Sequence, residues 1–109
     1  MREQSWSEFL DEEKENLVFV KFVFSGDFSE IKEFVISFIS IIKEEPKEII
    51  RFDCGEKEPV HVHRFYSKKQ AKRFLKKEKS FETLQGFIKD VRKNWRQYRS
   101  KYAEKHNII

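Results

Sequence analysis

The sequence predicts an α+β domain in which a small antiparallel sheet of three or more strands packs on a long C-terminal helix. Between residues 17 and 66, short runs of β-branched and aromatic residues are separated by turn residues, a pattern typical of strands. Residues 80–105 instead carry apolar side chains at three- and four-residue spacing, as one face of a helix does. A chain of 109 residues is long enough for a single domain, 1–109, with one two-layer core.

The first two predicted elements are a helix and a strand. Ser5 and Glu8 match a capping box, so we expect a short and loosely docked N-terminal helix within residues 1–16. Residues 17–24 are β-branched, aromatic or aliphatic except for Lys21, which predicts a strand with two apolar faces. Such a strand is either covered on both sides, or covered on one side and self-associating on the other.

An additional amphipathic helix is predicted near residues 29–43. The polar side chains there recur at intervals of three and four rather than two, which favours a helix. The frequent β-branched residues favour a strand instead, but we give the polar spacing more weight. The helix is expected to stop at residues 44–46, which end in Pro46. Its apolar stripe consists of Ile31, Phe34, Val35, Phe38, Ile41 and Ile42.

Residues 48–54 and 59–66 predict a hairpin whose register follows from side-chain polarity. A four-residue loop would place Phe52 opposite His61 and mix polar with apolar residues on both faces. A five-residue loop places the polar residues on one face and the apolar residues on the other. A slip of one residue would turn every side chain to the opposite face. The predicted pairs are Cys54 with Val60, Asp53 with His61, Phe52 with Val62, Arg51 with His63 and Ile50 with Arg64. One face then holds a polar patch made of Arg51, Asp53, His61 and His63.

The C-terminal half is basic. Residues 1–58 carry 15 acidic and 8 basic side chains, whereas residues 59–109 carry 4 acidic and 15 basic ones. This asymmetry indicates an anionic partner, unless the two halves neutralise each other in the folded domain. Residues 67–79 hold seven of the basic side chains and predict a short helix or a mobile loop.

Ser80 is the predicted N-cap of the long helix, which continues to about Lys105. At about 1.5 Å per residue the helix spans roughly 40 Å, so we expect its last turns to project or to meet a second chain, as in a homodimer. Its apolar stripe consists of Leu84, Ile88, Val91, Trp95, Tyr98 and Tyr102.

Composition limits the class of protein. A single cysteine, Cys54, excludes an internal disulfide and fits a reducing compartment. No apolar run reaches the roughly 18 residues of a membrane span, and the N-terminus is unlike a signal peptide, so we expect a cytoplasmic protein without membrane contact. The abundance of Lys, Glu, Ile and Phe is thermophile-like. Motifs for nucleotide hydrolysis, acyl transfer and glycoside cleavage are missing.

The paired histidines are the sharpest candidate site. His61 and His63 alternate on one strand and can exchange protons near neutral pH, which suits acid and base in metal-independent RNA cleavage. Asp53 would orient His61, and a phosphate would be bound by Arg51 and Arg64. Tyr66 is the sixth predicted catalytic residue. A solvated sheet face explains the same residues. No cofactor is predicted, although His-x-His with Asp53 also suits zinc or iron.

The basic residues of the C-terminal half are the candidate nucleic-acid-binding surface, since such side chains neutralise phosphates. A non-enzymatic module that binds nucleic acid or an acidic protein is therefore the alternative function. The candidate residues are Lys68, Lys69, Lys72, Arg73, Lys76, Arg92, Arg96 and Arg99.

Three segments carry a family resemblance: IRFD at 50–53, HVHRF at 61–65 and NWRQYR at 94–99. They resemble uncharacterised small prokaryotic domains with an R-[FYW]-D…H-x-H hairpin and an NWR-x-YR helix. More distantly, residues 48–106 are similar to TumE-type toxins of toxin–antitoxin systems. The resemblance implies a RelE-like ribonuclease with a cognate antitoxin. Cys54 stands where TumE-type chains carry Asn, and their extra histidines are missing here. The positions that align by motif are Arg51, Asp53, His61 and His63.

Overall fold

The structure is a computed structural model that describes residues 1–27, 29–69 and 72–107. The described residues form one antiparallel sheet whose six strands follow each other in chain order, and a helix that lies across one face. The predicted α+β class and the long C-terminal helix are thereby confirmed. The elements are β1 Arg2–Phe9, β2 Asn16–Phe24, β3 Ile31–Ile42, β4 Glu45–Cys54, β5 His61–Arg64, β6 Lys72–Phe74 and α1 Phe81–Lys105.

The core lies between α1 and the face of the sheet that it covers. Phe87 stacks on Phe52 with ring centroids 4.3 Å apart, and Trp95 packs edge-on against Phe38. Burial of this aromatic layer removes a large apolar surface from water, which is the main driving force for folding. The predicted stripe is confirmed except for Tyr98, which is half-buried, and Phe87 is a further core residue that the predicted stripe did not include. The buried helix residues are Leu84, Phe87, Ile88, Val91, Trp95 and Tyr102.

Both ends of α1 are anchored. Ser80 Oγ accepts a hydrogen bond from the backbone N–H of Thr83, as its predicted role as N-cap requires. Lys105 Nζ donates to the carbonyl oxygens of Phe65 and Ser67, which follow β5. The last turn is therefore held against the segment after β5 and does not project, whereas contact of α1 with a second chain stays a prediction. No helix in the described part of the chain combines the length and the apolar character needed to cross a membrane.

The N-terminal segment is strand β1 and not the predicted helix. It pairs with β2 along its whole length, which satisfies backbone hydrogen bonds that a short helix would leave open at its ends. Trp6 packs edge-on against Phe22 on the covered face, and Glu8 accepts hydrogen bonds from Arg92 of α1. The local capping signal at Ser5 is overridden by this pairing.

The predicted amphipathic helix near residues 29–43 is also wrong, because these residues form strand β3. It pairs with β2 on one side and β4 on the other. Ser40, whose spacing favoured a helix, is fully buried in the core. Its hydroxyl donates to Asn16 Oδ1 and accepts a hydrogen bond from Arg99 Nε. Partners distant in sequence therefore satisfy a polar residue that a strand interior would otherwise disfavour.

A two-residue turn joins β3 to β4. Lys43 and Glu44 both have positive φ, 51° and 67°, and Ile42 pairs with Glu45 across the turn. Such a turn matches the twist of antiparallel strands but is usually built from Asn and Gly. The Lys-Glu pair therefore gave no hairpin signal. Pro46 is tolerated because β5 does not extend to this end of β4.

The β4–β5 hairpin has the predicted register. The predicted pair Cys54–Val60 lies just beyond the start of β5. Residues 72–74 form a short edge strand, β6, and not a helix or an unstructured loop; Ala71, assigned to that predicted helix, lies outside the described residues. The observed pairs are Ile50 with Arg64, Arg51 with His63, Phe52 with Val62 and Asp53 with His61.

Candidate active site on the open sheet face

A polar cluster lies on the face of the sheet that α1 does not cover. Asp53, His61 and His63, which we call the histidine cluster, alternate along their strands with Phe52 and Val62 of the core. Ligand atoms of the three side chains lie within 4.8 Å of one another. Asp53, His61 and His63 therefore lie on one face, as the predicted register requires.

His61 is almost fully buried, with 1% of its side chain exposed. Its Nδ1 lies 2.9 Å from the carbonyl oxygen of Pro59. Its Nε2 lies 2.6 Å from Asp53 Oδ1 and 3.2 Å from Glu58 Oε1. These contacts fix the ring, since a buried polar group without partners costs about 1–3 kcal/mol. The ring of His61 is therefore held in place and is barely accessible to a bound molecule.

His63 is the accessible member of the cluster, with 20% of its side chain exposed. Its ring stacks on Phe65 and contacts His61 edge-on. Its Nε2 lies 3.8 Å from Asp53 Oδ2. Burial and the nearby Arg51 guanidinium lower the pKa of His63, and Asp53 opposes this shift. The ring is therefore neutral at neutral pH and can accept a proton.

Arg51 places a positive charge beside the cluster and forms ion pairs with two carboxylates. Its Nε donates to Asp53 Oδ2 at 2.7 Å, and its Nη1 donates to Glu48 Oε1 at 2.8 Å. The guanidinium also lies 5.6 Å from the centroid of the Phe65 ring. The two oxygens of Asp53 therefore have different partners: Oδ2 contacts Arg51 and Oδ1 contacts His61.

A groove of about 570 Å³ lies on the open face, and Arg51, Asp53 and Glu58 are among the residues that line it. The rings of His61 and His63 do not line it, because they lie on the next strand. Its floor is largely apolar, and its four acidic residues outnumber the two basic ones, which favours cations over phosphates there. The charged residues that line it are Lys21, Glu33, Glu48, Arg51, Asp53 and Glu58.

Sequence reasoning missed Glu48 and Glu58. Strict alternation from Ile50 and Phe52 would turn Glu48 toward the covered face. An extra residue at Ile49 shifts the pairing of β4 with β3, so that Glu48 lies on the open face instead. Glu58 lies in the loop before β5. A carboxylate three residues before His61 was the signal that could have identified it.

On the other side of the histidines, β6 forms a basic and aromatic edge. Lys72 pairs with His63 and Phe74 pairs with His61. The Phe74 ring is 57% exposed, and its centroid lies 5.7 Å from that of His61. Lys72 Nζ lies 5.2 Å from the Phe74 centroid and 3.3 Å from Glu58 Oε2. Exposed rings beside basic side chains are typical of surfaces that bind single-stranded nucleic acid.

Arg64 and Tyr66, predicted as part of the site, are not brought to the histidine cluster. Arg64 alternates with His63 and so points toward the covered face. Tyr66 stacks on Tyr98 of α1, with centroids 5.8 Å apart, and burial raises the pKa of Tyr66. Both residues therefore lie on the α1 side of the sheet.

The predicted nucleic-acid-binding residues are divided between the two sides of the sheet. Lys72 lies beside His63, whereas the basic residues of α1 lie beyond the covered face. Arg92 pairs with Glu8, and Arg99 donates to Ser40 Oγ. Arg96 lies over the ring of Trp95. The remaining predicted residues are exposed: Lys68, Lys69, Arg73 and Lys76.

A family model described as a domain of unknown function (DUF7718) matches residues 1–108, which include all six strands and the helix. No curated protein and no solved structure matches the chain. The segments that carry the resemblance to TumE-type toxins lie within the family match, and that resemblance stays a prediction.

Proposed function

We propose that this chain, which belongs to the DUF7718 family of domains of unknown function, is a small RNA-directed ribonuclease whose active site is the histidine cluster. One observation supports this above the others. His63, partly exposed and neutral, lies between the Arg51 guanidinium and the basic, aromatic edge of β6. RNA cleavage through the 2′-hydroxyl needs a base of this kind and a cation near the phosphate.

In the proposed reaction, His63 Nε2 takes the proton of the 2′-hydroxyl. The 2′-oxygen then bonds to phosphorus, and the bond from phosphorus to the 5′-oxygen breaks. The products are a 2′,3′-cyclic phosphate and a 5′-hydroxyl, whose proton comes from water because His61 is buried. Arg51 stabilises the charge on the phosphorane. Asp53 and His61 are positioning residues that hold Arg51 and the two rings in place.

RNA would reach His63 along β6 and not through the acidic groove. Phe74 offers a surface for base stacking, which is worth about 1–3 kcal/mol per base. Lys72 would neutralise a phosphate on the approach, so binding would weaken as salt is added. We assign the activity to a toxin of a toxin–antitoxin pair, because this is what the resemblance to TumE-type toxins implies.

Cleavage of single-stranded RNA by untagged protein in EDTA tests the proposal. Wild-type protein should leave 2′,3′-cyclic phosphate ends. His63→Ala should lower the rate by about 100-fold or more, the usual contribution of a general base. His106→Ala changes a histidine outside the cluster and should cleave at the wild-type rate. Equal rates for wild type and His63→Ala would contradict the proposal.

A second candidate is a non-enzymatic module that binds RNA or an acidic protein such as an antitoxin. It is favoured by a basic surface on the α1 side of the sheet, around Tyr66, Lys68, Lys69 and Lys101, away from the histidines. Such binding should weaken steeply with salt and be equal in wild type and His63→Ala. Fluorescence anisotropy with labelled RNA at several salt concentrations measures this, with Lys68→Glu/Lys101→Glu as the variant that should lose affinity.

A further inference from the structure

The histidine cluster also has the ligand atoms of a metal site. His61 Nε2 and Asp53 Oδ1 are 2.6 Å apart, and His63 Nε2 lies 3.8 Å from Asp53 Oδ2. Two ligand atoms of a tetrahedral zinc ion are about 3.3 Å apart, so shifts of about 1 Å or less would let the three side chains surround an ion.

The groups behind these ligand atoms orient them for an ion. The carbonyl oxygen of Pro59 lies 2.9 Å from His61 Nδ1, so an N–H there can donate to it and leave Nε2 as the ligand atom. Metal-binding histidines almost always donate their other N–H to a carbonyl or a carboxylate. Arg51 occupies Asp53 Oδ2 and leaves Oδ1 toward His61. These two contacts would orient His61 Nε2 and Asp53 Oδ1 before an ion binds.

Glu58 is in place to supply a fourth ligand. Its Oε1 lies 3.2 Å from His61 Nε2, while its Oε2 is 3.3 Å from Lys72 Nζ. The carboxylates of Glu48, Asp53 and Glu58 outnumber the cations of Arg51 and Lys72, so the surroundings favour a positive ion. Two imidazoles with carboxylates select zinc and related transition metals over magnesium or calcium, which prefer oxygen ligands alone.

We propose that Asp53, His61 and His63, with Glu58 as the fourth ligand, bind one divalent transition-metal ion of the zinc type. The bound ion would take the Nε2 lone pair of His63, so the metal-bound form could not use this ring as a base. Metal binding stands on the geometry alone, whereas the loss of RNA cleavage in the metal-bound form rests on the proposed function.

Titration of untagged, EDTA-treated protein with Co²⁺ tests the site, since visible absorption reports tetrahedral coordination, and Zn²⁺ competition gives the affinity. We expect one ion per chain. His63→Ala should weaken binding by at least about 10-fold, and so should Asp53→Asn, which keeps the size of the side chain. His106→Ala should bind as wild type does. A thermal melt of each variant checks that it is folded.

An absent signal in wild type, or equal affinity in wild type, His63→Ala and Asp53→Asn, would overturn the metal site. RNA cleavage separates the two proposals. If Zn²⁺ binds one to one and lowers the cleavage rate of EDTA-treated protein, both hold. If Zn²⁺ binds but EDTA-treated protein leaves RNA intact, the metal site holds and the ribonuclease fails. If EDTA-treated protein cleaves RNA but does not bind Zn²⁺, the ribonuclease holds and the metal site fails.

Discussion

The two faces of the sheet are built from the same strands but hold different kinds of side chain. On the covered face, most of the alternate residues are apolar, buried and packed against α1. On the open face, partly exposed apolar residues such as Phe19 and Ile39 lie beside the histidine cluster. Among the described residues, every buried side-chain nitrogen or oxygen has a hydrogen-bond partner. Stability thus comes mainly from one face, which leaves the other free to hold a polar site.

The largest expected loss of stability comes from removing a large apolar side chain from the covered face. Phe38 is fully buried against Trp95, so Phe38→Ala should lower the free energy of unfolding by about 3–5 kcal/mol. Phe19→Ala makes the same chemical change on the open face and should cost about 1–2 kcal/mol, because the ring already meets water. Urea unfolding followed by circular dichroism measures both. Equal losses would show that a further chain covers the open face.

A smaller effect is expected where the open face depends on paired polar groups. Asp53→Ala leaves His61 and Arg51 with one carboxylate each, Glu58 and Glu48, and should cost about 2–3 kcal/mol in urea unfolding at pH 7. Asp53→Asn keeps an oxygen acceptor and should cost less. Glu45→Ala removes an exposed carboxylate paired with Lys47 and is the matched control, with no measurable change expected. If Asp53→Ala left the free energy of unfolding unchanged, the cluster would not stabilise the sheet.

The smallest effect tests whether the two faces are independent. Ser80→Ala removes the N-cap of α1 and should cost about 1 kcal/mol, whereas Ser80→Asp should retain most of the stability. Because the cap acts on the covered face, the NMR signals of the His61 and His63 rings should stay where they are. A shift of these signals in folded Ser80→Ala would show that α1 and the histidine cluster are coupled.

How much the sequence could predict differed between elements for physical reasons. The register of the β4–β5 hairpin followed from the polarity of residues that face each other, so Asp53, His61 and His63 were placed together correctly. The strand β3 was missed because Ser37 and Ser40 repeat at a helical interval. In the fold, Ser37 donates to Glu48 and Ser40 to Asn16. Neither partner can be inferred from local spacing.

The sequence by itself determined α1, its cap at Ser80, strand β2 and the composition of the histidine cluster, because each depends on residues near one another in the chain. Only the tertiary structure decided that β1 and β3 are strands, since pairing with β2 supplies hydrogen bonds that local propensity does not count. It also decided that Glu48 pairs with Arg51 and Glu58 with His61, and that Arg64 and Tyr66 lie away from the cluster. A bulge, a loop and the alternation of β5 set the face on which each side chain lies.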